Sequence, residues 1–195
     1  MATSFPLPGL SHSGLKGGAW KRKNAFIHPL TPAPRTAVLV PWFHKSRFVA
    51  GAGFGPGKQI QVFPEGWNDR AAAFAPCSIA ATREQIYALE QVSIPSLTHA
   101  LIVLERAGEA RLSEDDRERL WRGFHLPIFE RVIGESGELL AAECEAHDGL
   151  HVESPRLPLD QETLDRSACA CGRTTPRLAP SDGGELLRHV AAYAR

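Results

Sequence analysis

Three cysteines and two histidines gather into two short stretches of the chain. Cys169-Ala170-Cys171-Gly172 places two thiols on one tight turn, and Cys144-Glu145-Ala146-His147-Asp148-Gly149-Leu150-His151 supplies a third thiol with two imidazoles close by. Zinc takes four such ligands in a tetrahedron, commonly three Cys and one His, arriving as short-spaced pairs from separate loops. The spacing therefore predicts a zinc site built on Cys144, Cys169, Cys171 and one imidazole. His147 has the compact C-x-x-H spacing, His151 lies four residues further on, and spacing alone leaves both open. Disulfides are the weaker reading, because a cytoplasmic compartment keeps thiols reduced. Cys77, alone beside Pro76, reads as a small buried hydrophobe.

Other constellations are less specific. The run Gly51-Ala52-Gly53-Phe54-Gly55-Pro56-Gly57-Lys58 invites comparison with a phosphate-cradling loop. Ala52 stands where that loop needs its first Gly, and Gln59 stands where it needs Ser or Thr. A flexible turn fits better. Glu114, Asp115, Asp116 and Glu118 cluster at the start of an expected helix, where acids interact favourably with the helix dipole and form a solvated face.

The elements that must position the cysteine stretches are legible in outline. Thr36–Trp42 and Lys58–Phe63 are short β-branched runs bounded by Pro and Gly, the punctuation of strands. Thr82–Gln91 has a cap-type Thr followed three residues later by Gln85, which predicts a surface helix. Leu97–Glu105 contains a continuous apolar run suited to a buried strand, and Ser113–Phe124 reads as a capped, acid-fronted helix. Phe129–Ile133 and Leu139–Cys144 are two further expected strands, residues 154–181 read as Pro-rich and irregular, and Gly184–Arg195 as a terminal amphipathic helix. This alternation predicts an α/β fold: a single mixed sheet with flanking helices and a zinc-stapled C-terminal region.

With 195 residues, 43% of them hydrophobic, one core is expected. Charge is balanced overall but divided along the chain. No acid precedes Glu65, while eight bases do, leaving 14 bases and 22 acids in the remainder. Residues 1–34, interrupted by Pro6, Pro8, Gly9, Gly14, Gly17 and Gly18, read as a basic N-terminal arm, and residues 35–195 as the α/β domain. The stretch Trp20-Lys21-Arg22-Lys23-Asn24-Ala25-Phe26 carries too few charges for a nucleic-acid coat and suits a strap that meets an acidic surface, on a protein partner or on another copy. Apolar runs are far shorter than the ~20 residues that span a bilayer, so no membrane segment is expected. The glycines and prolines of the arm oppose an export signal, and the expected location is cytoplasmic.

The two cysteine stretches also carry a family resemblance. Glu143-Cys144, four residues, then Gly149-Leu150-His151, followed later by Cys169-Ala170-Cys171-Gly172-Arg173-Thr174-Thr175-Pro176-Arg177, resembles phenylacetate-coenzyme A ligases and their adenylate-forming relatives. The likeness covers about residues 82–178. It implies zinc-site segments over 143–152 and 168–177, with His151 as the fourth ligand, and it places Ser136 and Glu138 where the family binds its acyl substrate. The departures limit what the resemblance implies. Ile133 replaces an aromatic residue of the family's Gly-x-Ser/Thr-Glu loop, and the interval from His151 to Cys169 is too short for the ribose-holding Thr-Gly-Asp stretch. The chain also ends where the family's lysine-bearing lid would begin.

Together these features predict a zinc-containing accessory or binding subunit that lacks the ATP-binding machinery and has no ligase activity on its own. The alternative is a small subunit of a multi-chain enzyme that binds or activates an aromatic carboxylic acid or an acyl-CoA. A small carboxylic acid or coenzyme A is the expected class of ligand.

Overall fold

Short β-branched and small-residue segments pair along the chain to build one mixed sheet. The computed structural model describes residues 28–40, 59–135, 137–155, 157 and 164–178. The expected arm up to residue 27, the glycine run 51–57, Ser136 and the expected helix 184–195 lie outside the described residues.

Strand β1 (Thr36–Val38) lies between β2 (Ile60–Val62) and β3 (Ser78–Ala81), parallel to both. Beyond β3 come β4 (Ala100–Arg106) and β5 (Ile128–Ile133), also parallel. Helices α1 (Asp69–Phe74), α2 (Arg83–Ala88) and α3 (Glu114–Phe124) lie in the connections within this half, as parallel pairing requires a crossover. The direction then reverses. A tight turn, with the Gly137 amide donating to the Gly134 carbonyl at 2.9 Å, folds β6 (Leu139–Glu143) back antiparallel onto β5. β7 (Leu150–Val152) pairs antiparallel with β6, and β9 (Arg177–Leu178) lies between β7 and β8 (Leu164–Asp165), antiparallel to both. Among the described residues the sheet has nine strands in the order β2-β1-β3-β4-β5-β6-β7-β9-β8.

Both faces of the parallel half are buried, which explains the unbroken apolar run Ala100–Leu104. Ala37, Leu39, Ile79, Leu101 and Val103 meet Ala71, Ile86 and Leu120 from the three helices. Val38, Ala80, Ile102, Leu104 and Phe129 form the opposite face, against which Leu30, Ile60 and Val62 pack. A third cluster, Val132, Leu140, Ala141, Leu150, Leu157 and Leu178, fills the antiparallel half beneath the cysteine-bearing turns.

Two helices follow their sequence signals. Thr82 caps α2 through a reciprocal box with Gln85, and Ser113 caps α3 through a box with Asp116. Asp116 departs from the expected solvated face. It accepts from Arg83 Nη1 at 2.8 Å and from the Tyr87 hydroxyl. Against the cost of burial, the bonds from Tyr87, Ser113 and Arg83 hold its carboxyl well below the usual carboxylate range. Five elements were not expected: α1, β3, β7, β8 and β9. Helix α1 is capped by Asn68, whose Oδ1 accepts from the amides of Arg70 and Ala71 at 3.0 and 3.1 Å, and is only six residues long. β8 and β9 lie within the stretch read as irregular, and two-residue strands are too short to display alternation. Cys77 is half-buried, in place of the buried position expected for it. No helix among the described residues is long and apolar enough to cross a membrane.

Candidate metal centre

The antiparallel half brings the two cysteine stretches together at one end of the sheet. Cys144 directly follows β6, His151 lies in β7, and Cys169 and Cys171 precede β9, so strands β6, β7 and β9 fix all three ligand-bearing segments. Each turn closes with a backbone bond of the same kind: the His147 amide donates to the Cys144 carbonyl at 3.1 Å, and the Gly172 amide to the Cys169 carbonyl at 2.9 Å. Gly172 has φ +78°, a left-handed conformation that favours glycine, and it carries the chain away directly after Cys171.

The ligand atoms of Cys144, His151, Cys169 and Cys171 all lie within 4.8 Å of one another. Sγ of Cys144 is 3.6 Å from Sγ of Cys169, and Sγ of Cys171 is 3.4 Å from Nε2 of His151. Tetrahedral bonds of about 2.0–2.3 Å to one ion place ligand atoms roughly 3.5–3.8 Å apart, so these two edges match the spacing that such an ion requires. His151 is fully buried, and its Nδ1 lies 3.2 Å from the Thr175 carbonyl oxygen and 2.9 Å from Thr175 Oγ1. A carbonyl only accepts, so this contact assigns the hydrogen to Nδ1 and turns the Nε2 lone pair toward the sulfurs. Burial pushes the Cys144 thiol up to about 11. At Cys169 the Cys171 amide and neighbouring donors stabilise the thiolate and bring it down to about 6. The arrangement can hold a divalent metal ion through three sulfurs and one nitrogen.

The structure resolves the choice of imidazole that spacing leaves open. His147 has φ +52°, and this left-handed turn carries its ring away from the sulfurs. Its Nδ1 sits 2.9 Å from Glu143 Oε1, and its ring stacks on Phe129 at 4.8 Å. Glu143, almost fully buried, also accepts from the Glu130 amide at 2.8 Å and from both Nη atoms of Arg117 at 3.2 and 3.1 Å. Burial opposes its ionisation, but these donors outweigh the penalty and hold its pKa below the ordinary value.

Two residues without an assigned sequence role support the turns. Arg177 is 3% exposed and donates from Nη1 to the Asp148 carbonyl at 3.0 Å and from Nη2 to Ser167 Oγ at 2.9 Å. It also pairs with the carboxylates of Asp148 and Asp165. Arg131, buried in β5, donates to the Glu143 carbonyl at 2.8 Å, directly before Cys144. A cavity of about 300 Å³ adjoins the cluster, with Cys144, Cys171, Arg131, Arg173 and His28 on its walls. Glu138 sits elsewhere. It precedes β6, whereas Cys144 follows that five-residue strand, a separation of roughly 20 Å at strand rise. The Glu138 carboxylate folds back against Gly134, where an added Cβ would lie 2.6 Å from Glu138 Cδ.

No protein-family model and no curated protein matches the sequence. The fold does have counterparts among solved structures. A crystal structure of 2-hydroxyisobutyryl-CoA ligase in complex with 2-HIB-AMP and CoA in the thioesterification state matches with a TM-score of 0.53 at 15% identity, over 82% of this chain and 45% of the ligase. An open conformation of a 2-hydroxyisobutyryl-CoA ligase, also with 2-HIB-AMP and CoA, matches with a TM-score of 0.51 at 14% identity, over 78% of this chain and 45% of that one. The chain thus spans less than half the length of these ligases, and it shares the fold of a part of them.

Proposed function

We propose that the chain is a zinc-stabilised binding or accessory subunit, distantly related to adenylate-forming acyl-CoA ligases and without their ATP-binding machinery. The observation that carries this reading is the donor set: Cys144, Cys169, Cys171 and His151 converge within 4.8 Å, with the imidazole lone pair directed inward. Three thiolates and one neutral imidazole suit zinc better than magnesium or calcium, which prefer oxygen ligands. Four protein ligands also complete a tetrahedron and leave no open position for a substrate, so the ion's contribution is structural. It ties the turn after β6 and the turn before β9 to β7, and its binding energy becomes folding energy for the antiparallel half.

Two sequence departures support the absence of adenylation. Ile133 stands where the resemblance expects an aromatic residue, and the interval between His151 and Cys169 leaves no room for a ribose-holding segment. Phosphate chemistry requires donors placed in advance for the developing charge. The test is a pyrophosphate-release assay on the zinc-loaded chain with ATP and a panel of aromatic and aliphatic acids. No release above background is expected, and release abolished by Glu138→Gln would overturn the accessory reading. The likeness to ligases solved with CoA favours one second reading, a small subunit that binds an acid or acyl-CoA for a larger enzyme. Ser136 and Glu138 remain the proposed contacts for that ligand. Saturable acid or CoA binding without turnover would support it.

A further inference from the structure

A second and larger cavity, about 560 Å³, opens between α3 and the turn joining β6 to β7. One wall is a single stripe of α3, Glu114, Arg117, Glu118 and Trp121, spaced to share one helical face, and His147 and Gly149 stand opposite. Trp121 is 52% exposed, the most exposed large hydrophobic residue among the described residues. Its indole lines the groove, with the His125 ring edge-on at 6.1 Å.

The charges around the groove narrow what covers it. At its floor Arg117 pairs with both Glu130 and Glu143, and Arg111 pairs with Glu130, so these two bases and two acids balance. The rim is wet and carries two acids: Glu114, 84% exposed, lies 3.9 Å from Arg117, and Glu118, 64% exposed, pairs with Arg122 at 3.0 Å, so with the floor the groove's four acids meet three bases. A complementary occupant brings bases for the rim and an apolar or aromatic group for Trp121. The chain carries such a segment. Residues 1–27 contain Lys16, Lys21, Arg22 and Lys23, no acid, and the aromatic residues Phe5, Trp20 and Phe26.

The segment's tether lies across the sheet from α3, on the face where Leu30 packs, and a route to the groove passes around the strand ends. His28, the first described residue, lines the 300 Å³ cavity beside Cys144, and Glu143 lines both that cavity and the groove. An extended chain covers at most 3.3–3.6 Å per residue, so residues 20–27 reach roughly 26–29 Å from this anchor. Tethering holds the segment at an effective concentration of the order of millimolar, well above that of a second copy in dilute solution.

We propose that residues 1–27 dock in the groove of their own chain, with Lys21, Arg22 and Lys23 against Glu114 and Glu118 and an aromatic side chain beside Trp121. Zero-length carbodiimide cross-linking of the full chain, in an equal mixture of isotopically light and heavy copies, tests this by mass spectrometry. Lysine-to-acid links from Lys21 or Lys23 to Glu114 or Glu118 are expected within one copy. Their yield should fall several-fold near 1 M salt, where the screening length is about 3 Å. Amide exchange reads the same contact independently. In the full-length variant Lys21→Glu/Arg22→Glu/Lys23→Glu, the peptide over residues 114–124 should exchange roughly fivefold faster, as a segment that loses its cover opens more often. The surface variant Trp121→Ala should weaken the cross-links without altering exchange in β4. Links formed only between light and heavy copies would assign the groove to a second copy and overturn the proposal. Absent links, or exchange unchanged in the charge-reversal variant, would overturn it as well.

Discussion

Arg177 on β9 reaches back to Asp148, donating from Nη1 to its carbonyl oxygen at 3.0 Å and pairing with its carboxylate. Through this one guanidinium, the turn that bears Cys144 is held to the strand that follows Cys171. The same side chain grips Asp165 and Ser167, just before Cys169. The two cysteine turns are therefore tied by protein contacts as well as by any ion they share.

Loss of this tie should loosen the metal without removing a ligand. Changes to groups that orient ligands typically cost 10–100-fold in metal affinity. Arg177→Met should weaken zinc affinity within that range, measured by competition with a chromophoric chelator, with Arg177→Lys intermediate because it keeps charge but not the fork. An Arg177→Met affinity equal to that of the unaltered chain would remove Arg177 from the site's support.

Glu105 gives a pH prediction unrelated to the metal. It is 3% exposed at the end of β4, with Oε1 buried and without a hydrogen-bond partner among the described residues. Burial raises its pKa from the ordinary 4.5 to about 8; Arg83, 3.7 Å away, opposes this, and the nearby carboxylates of Glu130, Glu109 and Glu84 add to it. The folded state thus holds this proton more tightly than the unfolded chain. The stability it contributes is fully present below about pH 4.5 and is lost as pH rises toward about 8. Glu105→Gln keeps the shape and removes the titration. In urea unfolding across this range, the variant should gain on the unaltered chain with rising pH, leading by about 1–2 kcal/mol near pH 9. A difference independent of pH would contradict it.

Legibility in the sequence follows the length and locality of each signal. Helix α3 was readable because eleven residues carry an apolar position at Leu120 and a capping box at Ser113 and Asp116. Strand β4 was readable because burial on both faces leaves an unbroken apolar run. β3 was not, since Ser78-Ile79-Ala80-Ala81 is made mostly of small residues and owes its place to pairing between β1 and β4. The three sulfurs were legible from spacing, but the choice between the imidazoles was not. It depends on the left-handed backbone at His147 and on Thr175, 24 residues from His151. Arg177 stood in the resembling motif, yet its role depends on Asp148, 29 residues earlier, which no local pattern reveals.

The central claim is that Cys144, His151, Cys169 and Cys171 hold one structural zinc ion. The most direct measurement is metal content by mass spectrometry on protein purified without chelator, in parallel for the unaltered chain and for Cys169→Ser/Cys171→Ser. The account predicts about one zinc per chain, lost in the double variant together with protease resistance beyond β6, because the metal's binding energy is folding energy there. Zinc absent from the unaltered chain, or retained at the same stoichiometry by the double variant, would contradict it.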